Sequence, residues 1–183
     1  MVYLIGGVAR SGKTKVRKKL LEEYNISGIC TDSLRYMLSY TNPDLGINYE
    51  EPPTHNGPLM WPYLDNLIKE LIEYSNEDFV IEGDVLLPEY LSKYVKNTST
   101  KCCYIGYSNA SVESKYKEIV ERRIDGDWTN EYSEKEFRDF IKWSIEKSIK
   151  YEKECIALGV KYFNTGVDFK RSIDFVISNL IVK

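Results

Sequence analysis

Short apolar runs alternate with longer amphipathic stretches along the whole chain. Val2-Tyr3-Leu4-Ile5 is a compact β run that stops at Gly6-Gly7. From Lys13 to Tyr24 the apolar positions Val16, Leu20, Leu21 and Tyr24 share one face, which predicts an amphipathic helix. Gly28-Ile29-Cys30-Thr31 predicts a brief second strand, after which Asp32 or Ser33 can cap a helix through Tyr40. Residues 41–62 contain Pro43, Pro52, Pro53, Pro58 and Pro62 and show no period, so a long loop is expected, and such loops are usually functional or disordered. Periodicity returns at Leu64, Leu67, Ile68, Leu71 and Ile72, an i, i+3, i+4, i+7, i+8 stripe. Phe79 to Gly83 predicts a third strand, and Pro88 suits the first turn of a short helix reaching about Val95. Cys102 to Gly106 reads as the fourth strand and Val160 to Asn164 as the fifth. Between them, charged helices over about 110–123 and 133–157 flank a polar loop at 125–132. A last helix carries Ile173, Val176, Ile177, Leu180 and Ile181. Strands separated by helices are βαβ units, so residues 1–183 are expected to form one α/β domain, a parallel sheet covered by helices on both faces.

Composition narrows the function classes. The 183 residues carry 25 Lys plus Arg against 28 Asp plus Glu, a net charge of −3 without a basic block. That argues against a non-specific nucleic-acid binder, which needs cations to displace counterions. No apolar run approaches the ~20 residues of a membrane span, and the N-terminus lacks the basic-then-apolar order of a signal peptide. The expectation is a cytoplasmic chain, with Cys30, Cys102, Cys103 and Cys155 as free core thiols in a reducing compartment. With one histidine, His55, a His-rich metal site is not expected. The 15 tyrosines are read as a composition bias and as half-buried packing.

Gly7-Val-Ala-Arg-Ser-Gly12-Lys13-Thr14 matches G-x-x-x-x-G-K-[ST] at every fixed position. From the chain's own composition roughly 0.01 accidental matches are expected. The motif also follows the first strand and opens a helix, as its mechanism requires. Small residues let backbone N–H groups close around phosphate oxygens, and the helix N-terminus adds its positive end. Gly7, Arg10, Ser11, Gly12, Lys13 and Thr14 are therefore the candidate nucleotide-binding residues. Lys13 would reach the β- and γ-phosphates and the Thr14 hydroxyl would ligate Mg²⁺. The N-K-x-D guanine-reading motif of GTPases is missing, and the chain is short for a motor-type ATPase, which favours a small kinase.

In open α/β sheets ligands bind beyond the carboxyl ends of the strands. Asp32, after the second strand, is either a base that accepts the acceptor's hydroxyl proton or an ordinary helix cap. Arg35 lies one turn further on and can clamp an anionic group of the acceptor. Glu82 closes an apolar run as a Walker-B-type carboxylate does, so its expected work is holding Mg²⁺ or its water shell, with Asp84 competing and Glu82 also near the acceptor. Arg122 and Arg123 end a helix before the polar loop, where they either neutralise transferred charge or stabilise the helix dipole. Arg10 can face phosphate or acceptor.

These segments together resemble the P-loop small-molecule and nucleotide kinase superfamily. Its adenylate-kinase-like and 2-phosphoglycerate-kinase-like branches show the acidic-x-x-Arg pattern seen here at Asp32 and Arg35. Ile81 to Pro88 looks like the E-G-x-x-x-x-P segment of the latter branch, with Asp84 and Val85 departing from its usual pair. The resemblance implies a three-layer P-loop fold with a five-stranded sheet of order 2-3-1-4-5. It also implies MgATP as donor, an acceptor region over about 32–75 and a helical lid over about 110–150. By the same analogy Thr165 lies beside the adenine. No long lid insertion and no metal-binding lid cysteines are present, unlike adenylate kinases. The sequence thus points to an ATP-dependent phosphotransferase acting on a small acceptor through a hydroxyl. A nucleoside monophosphate kinase and a nucleotide-dependent switch are the alternatives.

Overall fold

The computed structural model describes residues 1–181. Its centre is a five-stranded parallel sheet in the order β2-β3-β1-β4-β5. The strands are β1 (Val2–Gly7), β2 (Ser27–Cys30), β3 (Phe79–Gly83), β4 (Thr100–Gly106) and β5 (Lys161–Asn164). The order follows the expectation from the resemblance, and the pairing runs from Val2 opposite Phe79 and Thr100 to Gly6 opposite Gly83 and Tyr104.

Strand alternation divides the core in two. On one face Tyr3, Ile5, Val80, Cys103 and Ile105 meet Val16 and Leu20 of α1 (Lys13–Tyr24) and Ile173, Val176, Ile177 and Leu180 of α7 (Phe169–Ile181). On the other, Leu4, Ile81 and Tyr104 meet α3 (Pro53–Tyr74), α4 (Pro88–Leu91) and α6 (Glu134–Leu158). α2 (Thr31–Thr41) leans Leu34 and Leu38 on this second cluster. A smaller cluster of Ile119, Phe137 and Ile141 joins α5 (Val112–Glu121) to the start of α6. Cys103 and Cys155 are buried, whereas Cys30 and Cys102 are half-buried, so two of the four free thiols sit at the core's margin instead of inside it.

Three elements differ from the sequence reading. The segment 41–62 is not a long loop, because a 3-10 turn spans Pro43–Leu45 and α3 begins at Pro53, carrying Pro58 and Pro62 inside it. Each interior proline costs about 3 kcal/mol of helix stability. Full burial of Met60, Leu64 and Ile68 opposes that at roughly 1.5–3 kcal/mol each, and Trp61 stacks on Tyr90 at 4.4 Å. Buried Asn56 adds a polar anchor. Its amide donates to the carbonyls of Asn48 (2.7 Å) and Glu51 (2.8 Å), and its oxygen accepts from the Asn48 N–H (3.1 Å). The second difference is α2, which starts at least two residues early, at Thr31, with Cys30 as N-cap and no side-chain cap. Asp32 is therefore not the cap; it sits in the first turn. The short helix from Pro88 also ends at Leu91, before Val95.

β1 runs into the sheet's centre with no room for side chains at its end. A Cβ on Gly6 would lie 2.2 Å from the Leu86 carbonyl oxygen. Gly6→Ala is therefore expected to destabilise the fold by about 2 kcal/mol or more, read as a lower urea midpoint at unchanged m-value.

Candidate functional site

The loop between β1 and α1 is held from outside by three contacts. Tyr107 donates its hydroxyl to the Ala9 carbonyl (2.9 Å), and the buried Thr165 hydroxyl lies 3.0 Å from the Ser11 carbonyl and 3.1 Å from that of Gly106. The Val8 N–H donates to Ile105 (3.2 Å). Gly12 caps α1 at φ 107° with no side-chain cap, so no side chain occupies the helix's first N–H groups. The Lys13 ammonium lies across the loop, 2.9 Å from the carbonyls of both Gly7 and Val8.

This loop opens on a cavity of about 720 Å³, within the ~300–1,000 Å³ range of small-molecule sites. Gly7, Arg10, Gly12, Lys13 and Thr14 line it from the loop, and Asp32, Arg35, Glu82 and Asp84 from the neighbouring strand ends. The buried Glu82 accepts from the Thr14 hydroxyl (2.9 Å) and pairs with Arg17 (3.3 Å) through one oxygen, while its other oxygen is buried without a partner. Arg35, 8% exposed in its side chain, bridges two carboxylates: Asp32 at 3.0 Å and Asp84 at 3.6 Å. Its remaining face lies over the Tyr49 ring at 4.8 Å. Burial and the facing Asp32 carboxylate raise the Asp84 pKa against the pull of Lys13 and Arg35.

Among the described residues no three His, Cys, Asp or Glu cluster as a metal cage. The Thr14 hydroxyl, the orphaned Glu82 oxygen and an Asp84 oxygen that makes no hydrogen bond instead form a sparse oxygen set. That suits Mg²⁺, which keeps waters and phosphate oxygens as most of its ligands.

The sequence-derived cations separate. Arg122 lines the cavity, with its guanidinium 3.6 Å from the Phe169 ring centroid and a contact to Glu118. Arg123 turns away, donating to the Thr129 hydroxyl (2.9 Å) and covering Phe137 at 4.6 Å, so the structure does not bring it to the cavity. Arg10, at φ 61°, reaches from the loop to Asp127 and lies 5.0 Å from the Trp128 ring. Burial raises the Asp127 pKa, but the Thr129 amide and hydroxyl and the Arg10 guanidinium outweigh it and hold the carboxyl below its usual value. Ser11 is buried and Thr165 braces the loop backbone, so neither lines the cavity.

Sequence reasoning missed several residues. Trp128, Tyr132, Phe140, Trp143, Lys147 and Tyr151 form a wall of the cavity. The signal for part of it was a spacing of i, i+3, i+7, i+11 from Phe140 to Tyr151. Lys115 was missed as well. It is fully buried, 3.1–3.2 Å from both Glu118 oxygens and 4.2 Å from the Tyr107 ring.

No family model and no curated protein sequence matches the chain. Solved structures match it along nearly its whole length. A shikimate kinase from Bacteroides thetaiotaomicron superposes with a TM-score of 0.60 at 16% identity, covering 100% of this chain and 99% of that one. The fold is that of the P-loop small-molecule kinases. A gluconokinase from Sinorhizobium meliloti 1021 gives 0.56 at 15% identity over 98% and 90% of the two chains. An uncharacterized protein from Eubacterium ventriosum ATCC 27560 gives 0.58 at 19% over 100% and 99%. No helix among the described residues of this P-loop-kinase fold is long and apolar enough to cross a membrane.

Burial, with the Arg122 and Arg10 cations nearby, pushes Lys115 down to about 7 from its ordinary 10.5. Between those values the unfolded chain binds the extra proton, so the Lys115 contribution to stability rises with pH. A Lys115→Met chain is therefore expected to be the more stable at pH 6.5. Its lead over wild type should shrink as pH climbs from about 7 toward 10.5. Urea midpoints at three pH values measure the difference.

Proposed function

We propose that the chain is an ATP-dependent phosphotransferase that moves the γ-phosphoryl group to a hydroxyl of a small acceptor. The observation that carries this reading is the shared cavity: the uncapped α1 terminus and Lys13 open on the same space as Asp32 and Asp84. Kinase neighbours of full length and the same fold support it.

In this reading the backbone N–H groups of Ala9, Arg10 and residues 12–14 and the Lys13 ammonium bind the donor's phosphates. Lys13 must leave the Gly7 and Val8 carbonyls to do so, exchanging two neutral acceptors for a polyanion. Thr14, with Glu82 behind it and Asp84 alongside, would hold Mg²⁺, which when bound offsets phosphate charge. The acceptor oxygen attacks the γ-phosphorus, the bond to the β–γ bridging oxygen breaks, and ADP leaves. The hydroxyl proton passes to the Asp32 carboxylate, which Arg35 keeps in place. Arg122, at the lid side of the cavity, supplies positive charge near the transferring group. Thr165 serves by fixing the loop, and Arg123 by fixing the lid segment.

A nucleoside monophosphate would present a phosphate oxygen and need free clamping arginines. Arg35 is already shared by two carboxylates, which favours the hydroxyl.

The test is MgATP turnover against pooled hydroxylated metabolites and nucleoside monophosphates, with Lys13→Ala as the blank. ADP release above that blank is expected with a hydroxylated acceptor. Asp32→Asn is then expected to lower kcat by about 10²–10⁴-fold while ATP affinity stays nearly intact. If no acceptor raises ADP release above the blank, the reading gives way to a nucleotide-dependent switch. If Arg35→Ala harms turnover more than Asp32→Asn, the acceptor is a phosphate.

A further inference from the structure

The wall of the cavity built by α6 and the segment before it is aromatic. Phe140, Trp143, Lys147 and Tyr151 reach the cavity along one stripe of α6, and Trp128 and Tyr132 extend it. Trp128, Tyr132 and Trp143 keep 43%, 40% and 43% of their surface open. They do not dangle. Trp128 packs edge-on against Phe140 (5.5 Å, 86°) and Tyr132 (5.7 Å, 74°), and Phe140 meets Trp143 at 6.1 Å. Arg10 further pins Trp128 by lying over its ring. Rigid aromatic faces left open on a concave surface are what a stacking ligand requires, because the ring contributes large apolar area at little conformational entropy.

The polar groups around that wall say what such a ligand lacks. Arg35 sits between Asp32 and Asp84, with Tyr49 over its face. Glu50 and Glu51 line the rim beside it, and on the wall Lys147 lies 5.3 Å from the Trp143 ring centroid while Arg10, over Trp128, is paired with Asp127. On this acceptor side four carboxylates face Arg35, already paired twice, and Lys147, while the cavity's other cations, Arg10, Lys13, Lys15 and Arg122, stand on the loop and lid side that the donor's phosphates take in this reading. A carboxylate or phosphate on the acceptor would meet repulsion there, and the arginines that line the cavity are already engaged, Arg35 by Asp32 and Asp84, Arg10 by Asp127 and Arg122 by Glu118.

We infer that the acceptor is an uncharged alcohol whose non-reacting part is a planar aromatic or heteroaromatic ring, stacked on the Trp128–Trp143 wall with its hydroxyl toward Asp32. This rests on the phosphotransferase reading and narrows its substrate class.

The test uses the full chain with cytidine and pyridoxine as ring-bearing alcohols, and shikimate and gluconate as carboxylates without an aromatic ring. Two readouts are taken: saturable binding by tryptophan fluorescence and calorimetry with the Mg²⁺ complex of a non-hydrolysable ATP analogue present, and ADP release with MgATP. Expected is saturable binding of at least one ring-bearing alcohol, and turnover of that compound in preference to both carboxylates. Trp143→Ala should raise its KM about tenfold or more, with kcat and the KM for ATP within about twofold, and Trp143→Phe should restore most of the loss. Saturable ring binding without ADP release from any acceptor would sink the phosphotransferase reading while leaving the wall as a ring-binding surface. Failure of both ring-bearing alcohols to bind overturns the inference, as does preferred turnover of shikimate or gluconate. A Trp143→Ala effect on the KM for ATP in place of the acceptor's overturns it too, since the wall would then serve the nucleotide.

Discussion

An anion-binding loop made of backbone has to be shaped by something other than its own side chains. Here the outside supports are Tyr107, Thr165 and the Ile105 carbonyl, which reach the loop from β4 and from the turn after β5. Between them they fix the carbonyls of Ala9 and Ser11 and the N–H of Val8. Gly12 then turns the chain into α1 at an angle a side chain would resist, because Phe169 and Ile173 already occupy the space beside it. The uncapped helix terminus, Lys13 and Thr14 all inherit their positions from this arrangement. So do the carboxylates, since β3 is paired residue by residue with β1 and delivers Glu82 opposite Ile5.

Charge in the cavity is arranged by pairing more than by count. Glu82 is occupied by Thr14 and Arg17 through one oxygen and leaves the other bare. Arg35 holds Asp32 and Asp84 on two sides, and burial, with the Asp32 carboxylate close by, raises Asp84 in spite of that cation. Net charge, which is mildly negative for the chain, says little about such a site. The local inventory decides what can enter, and it differs between the loop end and the acceptor end of one cavity.

Much of this was legible in the sequence because it depends on local pattern. The strand runs, the Gly7–Thr14 motif and the strand-end acids are each set by a few neighbouring residues, and the motif except Ser11, with Asp32, Glu82 and Asp84, lines the cavity. What was not legible depends on partners far away. The start of α3 hides behind five prolines, and its helix persists because Met60, Leu64 and Ile68 find a core that the local composition does not announce. The cap reading of Asp32 failed because α2 already begins at Thr31, and the shared assignment of Arg122 and Arg123 failed because adjacent residues at a helix end point in different directions. The aromatic wall was misread for a third. α6 carries two stripes side by side, a core one through Phe137, Ile141 and Cys155 and an open one through Phe140, Trp143 and Lys147. The tyrosine surplus, taken as a composition bias, includes Tyr49, Tyr132 and Tyr151 at the cavity.

The Asn56 amide has a consequence for how such a protein can change over time. One side chain on α3 holds the 48–51 backbone through three hydrogen bonds, and that backbone forms one rim of the cavity. The rim is therefore hung on a helix that packs against the sheet, not on the strand that feeds the loop itself. Side chains at 49, 50 and 51 can drift through successive substitutions without disturbing the central sheet. In the phosphotransferase reading, acceptor choice and phosphate chemistry then rest on different elements of one scaffold and can diversify at different rates.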